Sequence, residues 1–246
     1  MILSRLALTG LVVTLGLGAC QPSADDRTFD ARVKAYLLSH PAELRAALDN
    51  MQAKEDEAAQ KAQDAAYAKA KLELPQLRSA LERDPRDFVV NPDGQVTVTE
   101  FYDFRCGHCA NIAPKLVALV RERPDVRLVF KDLVIFGPTS EHAALVAIAT
   151  KQQGKDVLAL YQDYMSTHPL TDQAIDALAR RRGVRLEAMQ DPGFRKAARE
   201  QLDDNLQLAS RLAIDGTPGF VIGDTLIEGE DYDGILAAIV KAEKKA

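Results

Sequence analysis

From Asp25 to Asp87 apolar positions recur at spacings of three and four, and nothing alternates. Phe29, Val33, Tyr36 and Leu37 share one face of a short helix. It stops near His40-Pro41, because the residue before a proline is pushed out of helical backbone. Leu44, Leu48, Met51, Ala58, Ala62, Ala65 and Leu72 form a second stripe, broken at the same register by Glu55 and Lys69. A helix this long cannot bury a stripe against itself. Either it lies on its parent domain or it joins copies of itself. Its place ahead of the rest of the chain, ending in Pro75 and Pro85 like a stalk, favours the second. Residues 28–86 are therefore predicted to be a helical oligomerisation arm.

The period changes at Phe88. "FVVNPDGQVTVTEFYDF" alternates through Val96, Val98 and Glu100 after an Asn-Pro-Asp-Gly turn, which predicts a hairpin leading into a buried strand. Cys106 to about Arg123 predicts a helix with Ile112, Leu116, Leu119 and Val120 inward, and "DVRLVFKDL" the next strand. Helical patterns follow at 140–153, 155–166, 172–182 and 192–213, then strands at 219–222 and 225–228 and a last helix at 231–244. This order predicts an α/β layer fold over 87–246 with a helical insertion at about 138–213.

The amino end has a different character. Residues 1–19 carry one basic residue, Arg5, then an apolar run from Leu6 to Ala19. That run is shorter than the roughly 20 residues a membrane span needs, so it reads as a secretory signal. Its end, Leu17-Gly18-Ala19-Cys20, resembles a bacterial lipobox, which would make Cys20 the lipidated first residue of the mature chain and 20–27 a tether. The alternative is ordinary cleavage nearby, with Cys20 lost or left free. Losing Arg5 takes the formal charge from −5 to −6, and no basic stripe offers itself to nucleic acid. Export implies an oxidising compartment, the bacterial periplasm, with the protein held at a membrane through Cys20.

Two of the three cysteines lie in "DFRCGHCA", as Cys106 and Cys109. They could be a redox couple, half of a metal site, or two small core residues. Structural zinc wants four ligands, which His40, His142 and His168, scattered along the chain, do not supply. Copper(I) is soft and content with few thiolates, so the reduced Cys106–Cys109 pair could hold it. In an oxidising compartment the redox reading is favoured. Cys106 stands at the predicted start of a helix, where unpaired N–H groups and the positive dipole end favour a thiolate. His108 can add positive charge or a hydrogen bond to the same thiolate. Cys109, one helical turn on, can resolve a mixed disulfide formed at Cys106.

Several separated segments resemble the thioredoxin-fold thiol–disulfide oxidoreductases of the DsbA type: "EFYDFRCGHC", "FGPTSEHAA", "LAIDGTPGFVIG" and "IEGEDYDGILAAI". The resemblance covers roughly 86–246. The stretch "VKAYLLSHPAELRAAL" within 28–86 is similar to the extension of the suppressor-of-copper-sensitivity C (ScsC) branch, whose members include trimeric disulfide isomerases that can bind copper(I). This implies a thioredoxin fold, a catalytic Cys106 and Cys109, and Glu100 as a buried acid that relays a proton for Cys109. It also implies a cis Pro218 opposite the thiols, leaving the Thr217 backbone to pair with an extended substrate. The dipeptide Gly107-His108 resembles that of eukaryotic protein disulfide isomerases and lacks the proline of the strongest oxidants. The expectation is an envelope disulfide isomerase acting on misoxidised or unfolded exported proteins, kept reduced by a membrane thiol reductase, assembled as a trimer, and requiring no cofactor. The alternatives are a DsbA-like oxidant, or a copper(I)-binding protein of copper tolerance using the same thiols.

Overall fold

In the computed structural model, residues 24–244 are described, with side chains from 28 to 244. The leader expected at 1–19, and Cys20, lie outside the described residues. The chain divides into two units, one ending at Ala59 and one beginning at Gln60. The first holds helix α1 (Ala24–Ser39), which begins inside the stretch expected as a tether, and the start of α2 (Pro41–Glu82). The Tyr36 hydroxyl donates to Glu43 at 2.8 Å across the break between them, and the Tyr36 and His40 rings stack at 4.0 Å. Phe29, Val33, Tyr36, Leu37, Leu44, Leu48 and Met51 are all exposed.

The expected arm at 28–86 is not one body, because the second unit begins within α2. Ala70, Leu74, Leu77 and Leu81, a register the period reading passed over, are buried with Phe101, Leu133, Leu208, Ala209, Leu212, Ile214 and Val221. The helix runs through Pro75 and stops at Glu82, before Pro85. An interior proline costs about 3 kcal/mol. Burying three leucines, at about 1.5–3 kcal/mol each, outweighs it.

The second unit is built on a five-stranded sheet of β1 (Phe88–Val90), β2 (Val96–Tyr102), β3 (Val126–Asp132), β4 (Gly219–Ile222) and β5 (Thr225–Glu228), in the order β1-β3-β2-β4-β5. Only β2 and β3 run parallel. The hairpin expected from "FVVNPDGQVTVTEFYDF" is corrected: β1 pairs with β3, which lies between β1 and β2. The turn between β1 and β2 is tied elsewhere. Asn91, at φ 53°, donates through Nδ2 to the carbonyls of Val120 and Val126 at 2.7 and 3.0 Å. Gly94 passes so close to the β3 backbone that a Cβ would stand 2.6 Å from Arg127 N. Both contacts carry the chain past the start of β3 instead of folding it back on β1.

Strand β2 is buried on both faces, as a central strand must be. Val96, Val98 and Tyr102 face one core, with Ile112, Leu116 and Val120 of α3 (Gly107–Glu122) and Ile235 and Ile239 of α8 (Tyr232–Glu243). Phe101 faces the core built on α2, and Thr99 donates to Leu81 O at 3.2 Å. The helical insertion comprises α4 (Pro138–Gln152), α5 (Val157–Met165), α6 (Asp172–Arg181), a short 3-10 helix (Leu186–Gln190) and α7 (Pro192–Arg211). Among the described residues no helix is long and apolar enough to cross a membrane.

Candidate active site

The antiparallel register of β2 with β4, Phe101 opposite Gly219, sets the end of one strand beside the start of the other. The turn at 103–106 leaves β2 there, and Thr217-Pro218 enters β4. Cys106 and Pro218, 112 positions apart in the chain, are thereby brought together. The Thr217-Pro218 bond is cis, as the resemblance implied, and so is His168-Pro169, which nothing in the sequence reading anticipated. The Cys106 Sγ lies 3.1 Å from Thr217 O, a hydrogen bond that the protonated thiol donates and that ionisation to the thiolate gives up. The carbonyl expected to be open to a substrate is thus occupied by the thiol.

Cys106 is the N-cap of α3, in extended backbone at φ −76° and ψ 119°. The N-caps of α5, α6, α7 and α8 are Asp156, Thr171, Asp191 and Asp231, each accepting a backbone N–H through its side chain. At α3 no side-chain oxygen does this, so the first N–H groups are left for sulfur.

Both thiols are free, and they differ sharply. Cys106 is 2% exposed and Cys109 not at all, so Cys106 is the sulfur a disulfide can reach. A hydrogen bond from the Cys109 thiol lowers the Cys106 pKa from 9.0 to about 5. The backbone N–H groups of Cys109 and His108 act in the same direction, against desolvation. Cys109 is pushed far upward by burial, by its bond to Cys106 and by the charge of Glu100. One sulfur is held ready as thiolate by the other's proton.

The contribution expected of the His108 imidazole comes instead from its backbone. Its ring is 70% exposed and lies 3.4 Å from Glu230 Oε1. Gly107 has open space where a Cβ would stand, so sterics do not require glycine there.

Glu100 is fully buried on β2, and the Tyr161 hydroxyl donates to it, 3.3 Å from each carboxylate oxygen. Desolvation raises its pKa from 4.5 to about 8; the charges of Cys106 and Asp132 add to this, and the Tyr161 bond opposes it. Asp132, beside Tyr102 in the β2–β3 register, is likewise raised by burial, to about 7. Tyr161, Asp132 and Asp103 escaped the sequence reading. Tyr161 and Asp132 carry no local signal. Asp103 carries a weak one, an acid two residues before an N–H that it can cap.

The thiolate can be read directly. Reduced protein titrated at 240 nm should show one thiolate transition with a midpoint near pH 5, absent in Cys106→Ser and moved upward in Cys109→Ala, which removes the hydrogen bond that lowers it most. A midpoint above 8 in the intact protein would show that the helix start and Cys109 do not stabilise the anion.

A DSBA-like thioredoxin domain model matches residues 97–239. The thioredoxin-like oxidoreductase of Silicibacter pomeroyi DSS-3 is 32% identical, with a TM-score of 0.62, over 69% of this chain and 98% of its own. Proteus mirabilis ScsC, in a transitional conformation, is 25% identical with a TM-score of 0.63, over 92% and 100%. Disulfide bond formation protein D of Bacillus subtilis is 24% identical over 165 residues, 62% of this chain and 74% of its own. Of another curated relative it matches, the Na(+)/H(+) antiporter NhaA 3 of Salinispora tropica, the chain spans only 25% of the length.

Proposed function

Because the chain belongs to the DSBA-like thioredoxin domain family, near ScsC, and is a thiol–disulfide oxidoreductase of that type, we propose that it acts as a disulfide isomerase on misoxidised exported proteins. Cys106 attacks a wrong disulfide, a mixed disulfide forms and the client's other sulfur leaves as thiolate. That thiolate, or another on the client, then attacks the mixed disulfide and frees Cys106. When the client stalls, Cys109 displaces it, and a membrane thiol reductase restores the pair. The place of work is the periplasm, where Cys20 serves as a lipid anchor.

The observation that carries the isomerase reading is the exposed apolar stripe of the first unit, from Phe29 through Leu37 to Leu44, Leu48 and Met51. On an exported protein such a stripe calls for a partner, and the partner proposed is the same stripe of other copies, three in all. Several thiolates around one client make the second exchange intramolecular, at an effective concentration reaching the millimolar range for short tethers. A dedicated oxidant gains nothing from this.

The test is unscrambling of fully oxidised, scrambled ribonuclease by the full chain and by a Leu44→Asp/Leu48→Asp/Met51→Asp variant, with the solution mass of each. The expected result is loss of both the oligomer and most unscrambling in the variant, while oxidation of reduced ribonuclease persists. Deleting 28–86 would be a poor substitute, since it removes Leu74, Leu77 and Leu81 from a core. An intact protein that only oxidises is a DsbA-like oxidant. If it does neither and its reduced thiols hold copper(I), copper handling replaces the isomerase reading.

A further inference from the structure

Asp103, in the turn that carries Cys106, is 3% exposed, and its carboxylate is engaged by backbone. Oδ1 accepts the Arg105 N–H at 2.8 Å. Oδ2 accepts the N–H groups of Ile135 and Phe136 at 2.9 and 3.2 Å. The Arg105 guanidinium closes the ring by donating through Nη1 to Phe136 O at 2.8 Å. Three of these four bonds join the loop between β3 and α4 to the Cys106 turn, and the fourth braces the turn itself.

The latch has a consequence for side chains. With both amides turned inward onto one carboxylate, Ile135 and Phe136 face outward, 40% and 47% exposed, although Leu133 just before them is buried. Among the described residues of the second unit they are the only adjacent pair of exposed large apolar side chains. Burying either fully is worth about 1.5–3 kcal/mol, a gain that folding leaves unused at both positions and that a covering partner can collect.

The occupant follows from the chemistry. A client joined to Cys106 by a mixed disulfide is tethered there, and its flanking residues lie within about 3.5 Å of chain per residue from the bond. Arg105, the chain neighbour of Cys106, is itself bonded to Phe136 O, which puts the latched loop within reach of those flanking residues. Misfolded clients expose apolar segments. We propose that Asp103 is a positioning residue for client selection, holding Ile135 and Phe136 as an apolar rim that receives an apolar side chain flanking the reacting cysteine of an unfolded polypeptide. This rests on the oxidoreductase reading.

The test compares two peptides carrying a glutathione mixed disulfide, one with leucine and phenylalanine flanking the cysteine and one with serines. The readout is the ratio of their kcat/KM values. In the wild-type full chain the ratio should be about tenfold or more, equivalent to ~1.4 kcal/mol and carried by KM. In Ile135→Ser/Phe136→Ser it should fall close to one. It should fall similarly in Asp103→Ser, whose hydroxyl can still cap Arg105 N–H but is too short for the 135–136 amides, and less in Asp103→Asn, which retains one acceptor. A wild-type ratio near one, or a ratio that survives in the rim variant, overturns the rim. A ratio that survives in folded Asp103→Ser or Asp103→Asn overturns the latch. Exchange with oxidised glutathione is followed alongside; its absence in the wild type would sink the oxidoreductase reading itself, a different result from exchange without peptide preference.

Discussion

Cys106→Ser is expected to reduce disulfide exchange by on the order of 10³ or more, to the level of free solution thiols, because no other sulfur in the site can act. Cys109 is fully buried and its thiol is held far above neutral pKa, so it cannot take over the attack. A serine hydroxyl at 106 is neither ionised near neutrality nor able to form a disulfide. Cys109→Ser should behave differently. Its Cys106 still attacks, but the inward displacement is gone, so mixed disulfides with clients accumulate and are visible on non-reducing gels. The measurement is exchange rate and trapped adduct for each variant. If Cys106→Ser accumulates adducts and Cys109→Ser does not, the roles assigned to the two sulfurs are reversed.

Glu100→Gln should both stabilise the reduced protein and slow it. Burial raises this carboxyl from 4.5 to about 8. A group whose folded pKa is raised contributes stability that is fully present below the unfolded value, here about 4.5, and is lost as pH rises through about 8. At 1.36 kcal/mol per unit, the loss across that window is on the order of 3–5 kcal/mol. Glutamine keeps an acceptor for the Tyr161 hydroxyl and carries no proton to lose. Urea unfolding should therefore show the variant gaining on the wild type steadily between pH 4.5 and pH 8, and little difference below. Release of mixed disulfide by Cys109 should meanwhile slow by about 10²-fold, the usual worth of a positioned proton acceptor. Stabilisation without slowing would make the acid a stored cost with no share in proton transfer. Slowing without a pH-dependent gain would mean that Glu100 is not buried as a neutral group.

Some of this was legible before any fold. The shift from spacing three-and-four to alternation placed the change of architecture at Phe88, and β1 begins there. The block of helices inside the α/β fold also follows from spacing alone. The failures share one cause. Asn-Pro-Asp-Gly looks like a hairpin turn, yet Asn91 and Gly94 fasten it to the α3–β3 corner, and no local pattern announces contacts some 30 residues away. On α2 two apolar registers compete. The period reading chose the one from Leu44 to Leu72, while the one packed inside the second unit is Ala70, Leu74, Leu77 and Leu81. Both fit a helix equally well, and only the facing surface of β2 and α7 chooses between them.

The sequence by itself determined what depends on a dozen neighbouring residues: the period of each element, a cysteine at the first turn of α3, and a second one turn further in. Tertiary structure alone decided that β3 separates β1 from β2, that Glu100 lies under Tyr161, that Thr217 O stands 3.1 Å from the Cys106 sulfur, and that Asp103 reaches the amides of Ile135 and Phe136. The reason is that backbone hydrogen bonds between strands are alike for any pair and carry no label of the partner. Which strands and side chains meet is settled by burying all the apolar faces at once, and the chemistry of the site rests on those meetings.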